Sequence, residues 1–82
     1  MTNDQIEQFL ISQKQVKIID IKFKKRSPIR GIFVNLNDFE HLKSKNLWRI
    51  ITEEQIQNWN KTKDMGLSRI YNGSDFTKLK AQ

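Results

Sequence analysis

The chain has no cysteine, one histidine and one proline among its 82 residues. Without cysteine there are no disulfides, thiolate zinc sites, iron–sulfur ligands or thiol nucleophiles, and a reducing compartment is the simplest setting. With His41 as the only histidine, histidine-paired nucleophiles and multi-histidine metal sites are excluded as well. The three glycines, Gly31, Gly66 and Gly73, stand too far apart for a phosphate-cradling loop. Long apolar runs are missing too. Nothing approaches the ~18 residues of a membrane span, and Met1 to Gln13 is acidic and glutamine-rich where a signal peptide is basic and then apolar. The nine acidic residues fall mainly at helix starts and turns, where capping explains them. Asp38, Glu40 and His41 come closest to a metal-ligand group, but the DFEH spacing matches no ligand set, and a capping or solvated cluster is the plainer account. These absences predict a soluble, cytoplasmic, non-enzymatic protein with no cofactor, no metal and no membrane partner.

Eighty-two residues make one domain, 1–82, because a chain of this size buries only roughly 60–65% of its unfolded surface and has no material for a second core. Hydrophobic residues make up 37% and charged residues 29%, with apolar positions recurring at regular spacing, so the chain is globular and not a disordered tail. Its net charge is +6, and that charge is not spread evenly. Seven of the 15 basic residues (Lys14, Lys17, Lys22, Lys24, Lys25, Arg26 and Arg30) and only one of the nine acids (Asp20) fall between Lys14 and Arg30, leaving eight of each sign elsewhere. The whole net charge belongs to one segment, which favours a polyanionic partner. Solubility alone does not require the charge to be gathered in one place.

That segment is also the most apolar part of the chain. Val16 to Phe23 and Ile29 to Leu36 read as two β-strands joined by the basic turn Lys24 to Pro28, where proline, which lacks a ladder donor, belongs. Val16 and Ile18 face one way and Ile19, Ile21 and Phe23 the other; in the second strand Ile32, Val34 and Leu36 oppose Ile29 and Phe33. A helix over Thr2 to Gln13, with Ile6, Phe9 and Leu10 in one apolar stripe, is the expected cover for the second apolar face of the first strand. Thr2 and Gln5 give it a capping box, Met1 and Ile6 a hydrophobic staple. Gly31, inside the second strand, predicts a bend, a bulge or a close backbone approach, as the long strands of a small barrel need. Asn37 to Asn46 is polar with two anchors, Phe39 and Leu42, as one helical turn or an irregular crossing. Leu47 to Ile51 is a third strand. Thr52 and Gln55 repeat the capping-box pattern before a helix from Glu53 to about Lys63 that buries Ile56 and Trp59. Leu67 to Tyr71 and Ser74 to Leu79 are a fourth and fifth strand, joined by the tight-turn pair Asn72-Gly73. The predicted fold class is α+β: a small, strongly bent antiparallel β-barrel of about five strands, with an N-terminal helix and a second helix inserted before the last hairpin.

Two stretches carry a family resemblance. Ile29 to Asp38, IRGIFVNLND, is similar to the first motif of the Sm-like family, which includes the bacterial Hfq-like RNA chaperones, with a strand glycine at Gly31 and an aspartate after an apolar run at Asp38. Arg69 to Phe76, RIYNGSDF, is similar to the second motif, where a β-branched residue and a short polar-glycine turn link the last two strands. With the helix and first strand, the resemblance spans most of the chain except Thr52 to Gly66, which would be an insertion between the third and fourth strands. It implies an SH3-like or Sm-like barrel, RNA as ligand, and a ring assembled through the fourth and fifth strands. Two departures limit what carries over. The family's second motif has a basic residue before glycine, or Lys-His in the Hfq-like branch, where this chain has Asn72 and Gly73. The aromatic or histidine and then asparagine of the uridine pocket are not reproduced by Glu40, His41 and Leu42. The resemblance bears on the barrel more than on uridine recognition.

The expected phosphate contacts are Lys17, Lys22, Lys24, Lys25, Arg26 and Arg30 along one hairpin, with Tyr71 and His41 as exposed stacking groups. Phe9, Phe23, Phe33, Trp48 and Trp59 fall on apolar stripes and belong to the core. The function these residues predict is sequence-tolerant binding of RNA or single-stranded nucleic acid. A different class of function, an SH3-like adaptor, would have the basic turn dock an acidic protein partner or an edge accept a partner's strand. The plainest account has the lysines solvating a face and deterring pairing between sheets.

Overall fold

The computed structural model describes residues 1–13 and 18–81 and builds them around one antiparallel sheet. Helix α1 (Asn3–Ser12) begins as its sequence dictates: the Thr2 hydroxyl accepts from the Gln5 N–H, and the Gln5 side chain accepts from the Thr2 N–H. Strands β1 (Ile19–Phe23) and β2 (Ile29–Phe33) form the expected hairpin, with Ile21 opposite Ile29 and Asp20 opposite Arg30. Val16 and Lys17, which the sequence assigns to the first strand, lie outside the described residues. Phe39 and Leu42 anchor a helix, α2 (Phe39–Ser44), and β3 (Leu47–Thr52), α3 (Ile56–Thr62), β4 (Arg69–Asn72) and β5 (Phe76–Ala81) complete the α+β order. No helix among the described residues is long and apolar enough to cross a membrane.

The strand order is β4-β3-β2-β1-β5, which corrects one expectation outright. β4 and β5 do not form a hairpin; they occupy opposite edges of the sheet, and the chain passes between them through a 3-10 turn, Gly73–Asp75. A two-residue hairpin built on Asn-Gly needs positive φ at both central residues, and no described glycine has positive φ. Instead the Asn72 carboxamide oxygen accepts from the Ser74 N–H, and the Gly73 N–H donates to the Asn46 carbonyl at 2.7 Å. A Cβ at Gly73 would sit 2.2 Å from Asn46 Oδ1 and 2.5 Å from Ile6 Cδ1. The glycine is there to let three elements meet, not to reverse the chain. Asn46 is the hub of that meeting: it takes the left-handed conformation (φ 59°), and its Oδ1 satisfies the indole N–H of the buried Trp48 at 2.9 Å.

The sheet buries residues on both faces. Ile19, Ile21, Trp48, Ile50, Phe76 and Leu79 make the larger cluster, and Ile6 of α1 plugs into it. Ile32, Val34, Ile51 and Trp59 make the smaller one, joined by Ile18, Leu36 and Ile56. The predicted parity therefore holds from Ile18 onward, and each face has its own helical cover. α3, through Trp59, lies over the face that carries Ile18, whereas α1 docks with Ile19 and Ile21. The start of α3 differs from the expected capping box. Thr52 makes no side-chain cap bond, because the chain enters through a 3-10 turn, Glu53–Gln55, closed by the Ile56 N–H donating to the Glu53 carbonyl.

A ladder of ring contacts runs through the larger cluster. Phe39 meets Trp48 (5.9 Å between centroids), Trp48 meets Phe33 (6.0 Å), Phe33 meets Phe76 (6.3 Å), Phe76 meets Phe23 (5.3 Å) and Phe23 meets Tyr71 (5.8 Å). All but the tilted Phe23–Tyr71 pair are close to edge-to-face, each worth about 0.5–1.5 kcal/mol beyond simple burial. Phe23 is on β1 and Tyr71 on β4, with β2 and β3 between them, so their contact requires the sheet to coil tightly. The hydrogen-bonded sheet nevertheless stays open between β4 and β5.

Candidate nucleic-acid interface

Alternation on β1 sends Ile19 and Ile21 into the core and leaves Asp20 and Lys22 on the outer side. The same period on β5 buries Leu79 and exposes Lys78 and Lys80. Because β5 pairs with β1, Lys78 stands directly opposite Lys22, and Lys80 opposite Asp20. Beyond Lys22 the register shifts by a bulge, and the chain enters the turn with Lys24 and Lys25 both exposed. The Lys24 N–H donates to the Asp75 carbonyl at 3.0 Å, which pins the root of the turn against the 3-10 turn before β5. Among the described residues, Lys22, Lys24, Lys25 and Lys78 form no ion pair.

The described members of the predicted site divide into four groups. Lys24 and Lys25 share a hollow at the turn, Lys22 stands on β1, and all three are exposed and form no ion pair among the described residues. Arg30 is exposed but bound: its Nε donates to Asp20 Oδ1 at 2.7 Å across the β1–β2 pair. Beside this pair a hollow mixes Lys22 and Arg30 with Asp20, Glu53 and Glu54, so the cationic surface runs toward β5 and the turn and stops short of β3. Arg26 lies over rings, its guanidinium carbon 5.1 Å from the Phe23 centroid and 5.5 Å from that of Tyr71. Tyr71 is thereby half-buried beneath a cation instead of standing free to stack. His41 is exposed on α2, and none of its hydrogen bonds, ion pairs or ring contacts among the described residues reaches the basic turn. Lys17 lies outside the described residues.

Sequence reasoning missed Lys78 and Lys80. The signal was present, since lysines flank Leu79 in TKLKA, but a lysine's strand partner is not encoded locally. Pairing the last strand with the fourth sends these side chains away from Lys22; pairing it with β1 sends them beside it.

The acidic cluster near His41 has a structural use. Arg49 on β3 grips Asp38 through three hydrogen bonds of 2.8–3.0 Å and donates a fourth, at 3.0 Å, to Ser68 Oγ. This joins the start of α2 to β3 and to the residue preceding β4. Glu40 and Glu7 are both paired with Lys43, tying α2 to α1. The Arg49 hydrogen bonds hold the Asp38 carboxyl below its ordinary pKa, and its carboxylate raises that of Arg49. A depressed folded-state pKa adds stability above the unfolded value and loses it as pH falls through the folded one. In thermal melts from neutral pH to about pH 2.5, Asp38→Asn is expected to melt below the parent at neutral pH. The gap between the two should close in acid; a constant gap would contradict this role.

No protein-family model, curated protein or solved structure matches this chain. Function has to be read from the chemistry of this surface.

Proposed function

We propose that this protein is a non-catalytic binder of single-stranded nucleic acid, RNA first, that grips phosphates with Lys22, Lys24 and Lys25 of the β1–β2 hairpin together with Lys78 and Lys80 of β5. One observation carries the reading: Lys22 and Lys78 are direct cross-strand neighbours, and neither forms an ion pair among the described residues. Like charges directly opposite one another destabilise a sheet, and a phosphate between them turns that repulsion into binding energy. Residues two apart on a strand lie about 6.6–6.8 Å apart, so Lys78 and Lys80 present charge at intervals an extended sugar–phosphate chain can follow. In this reading the coiled sheet is a small SH3-like or Sm-like barrel left open between β4 and β5. Its support is that β1 sits between β2 and β5 while its Phe23 touches Tyr71 of β4.

The test is fluorescence anisotropy with a labelled single-stranded RNA at several salt concentrations. Five lysine–phosphate contacts correspond to a log-log salt slope of about −3.5, at about −0.7 per phosphate. Absence of binding at low salt overturns the proposal.

A second reading, a protein adaptor, is favoured by β4, an edge strand that pairs with β3 alone among the described strands and on which Ile70 is 47% exposed. A partner strand could add there. Binding that survives nuclease treatment and is lost in Ile70→Lys, not in the lysine variants, would select it.

A further inference from the structure

We infer that the hollow at the tip of the hairpin is a nucleobase pocket that prefers guanine, with Arg26 as the stacking plate and Asp75 as the group that reads the base. This deepens the proposed function and rests on it. Phe23, Lys24, Lys25, Arg26 and Asp75 line one hollow. Arg26 is held over the Phe23 and Tyr71 rings by two cation–π contacts, and those rings are themselves 5.8 Å apart on two different strands. A guanidinium plane supports a base as an aromatic ring does. Held in place beforehand, it loses less entropy when the base arrives. Lys24 and Lys25 supply charge for the phosphates beside that base.

Asp75 is the member that phosphate binding does not explain. It is an exposed carboxylate in a hollow otherwise built from a ring and three cations, and it pairs with none of them. On a surface that attracts phosphates it repels them, so its presence calls for a donor-bearing ligand. An ionised carboxylate only accepts, through two oxygens side by side. Of the four RNA bases, guanine alone offers two adjacent donors on its Watson–Crick edge, the N1 imino and N2 amino groups. Adenine and cytosine set one amino group beside an acceptor, and uracil sets one imino group between two carbonyls. The backbone around Asp75 is fixed: its carbonyl accepts from Lys24, and the Asn72 side chain caps the turn at Ser74.

Anisotropy titrations with short single-stranded oligouridylates that carry one central guanine, inosine or adenine test this, because inosine lacks only the N2 amino group of guanine. The guanine RNA is expected to bind about five- to tenfold more tightly than the other two, the lower range for a bidentate base contact in an open pocket. Asp75→Ala should abolish that preference and tighten binding of the adenine RNA, since a repelling charge leaves the surface. Arg26→Lys, which keeps the charge and loses the plane, should weaken all three RNAs and leave binding of inorganic polyphosphate unchanged. Equal affinities for the three RNAs, with salt dependence intact, would overturn the pocket and leave the lysine surface standing. A preference that survives Asp75→Ala would overturn the role given to Asp75. Failure of every RNA to bind at low salt would remove the pocket and the proposed function together.

Discussion

The double variant Lys22→Glu/Lys78→Glu is expected to lose RNA affinity by at least about two orders of magnitude at low salt, with a salt slope shallower by more than one unit. Two phosphate contacts vanish, and two carboxylates now repel the same backbone. Its melting temperature should hardly change, because one pair of like charges across β1 and β5 replaces another. The single variant Lys78→Glu, which leaves Lys22 beside its acidic neighbours, separates binding from folding more sharply. It sets opposite charges against each other at that register position, so stability should rise by roughly 0.2–1 kcal/mol while affinity falls. A variant that folds better and binds worse is the signature of residues kept for a ligand. Were the single and the double variant both to bind RNA as the parent does, the β1–β5 lysines would be a solvating face only.

The parts of this arrangement that were legible in the sequence are those governed by local period. Ile19, Ile21 and Phe23 alternating with Asp20 and Lys22 could be assigned to two faces because a strand repeats every second residue. The Thr2–Gln5 capping box could be read because its two hydrogen bonds join residues three apart. What failed depended on residues distant in the chain. Asn72-Gly73 looks like a hairpin turn until Gly73 is seen packed against Asn46, Ile6 and Trp48. Lys78 looks unrelated to Lys22 until the last strand is seen to pair with the first. Tyr71 reads as exposed on an isolated strand, yet the coil of the sheet carries it under Arg26. In each case the local pattern left the residue's neighbour in space undetermined. Arg30 adds an electrostatic version of the same point. Counting it with the basic segment overstates the free charge, because register places it opposite the segment's one acid.

Gly31→Ala is the substitution expected to damage the fold most, and the coil of the sheet is the reason. A Cβ at this position would stand 2.4 Å from the Ile51 carbonyl oxygen, 3.1 Å from its carbonyl carbon and 2.9 Å from Ile50 Cγ2. The first two are backbone atoms of β3, which is hydrogen-bonded to β2 through Ile32 opposite Ile51 and cannot rotate aside as a side chain would. Gly31 has no positive φ, so the cost is one of space and not of backbone conformation. Relief requires β3 to move away from β2, which loosens the packing of Ile50 in one buried cluster and Ile51 in the other. Overpacking of this kind costs about 1–3 kcal/mol or more. A domain of this size loses roughly 4–8 °C per kcal/mol, so the melting temperature should fall by about 10 °C or more. Gly66→Ala is the control: its new Cβ would meet only the Asp64 side chain, at 3.2 Å, in the connection before β4, and its melting temperature should stay close to the parent's. If the two variants melt together, β3 does not press on Gly31, and the tight coil that carries Phe23 to Tyr71 and shapes the pocket beneath Arg26 is not the geometry this protein adopts.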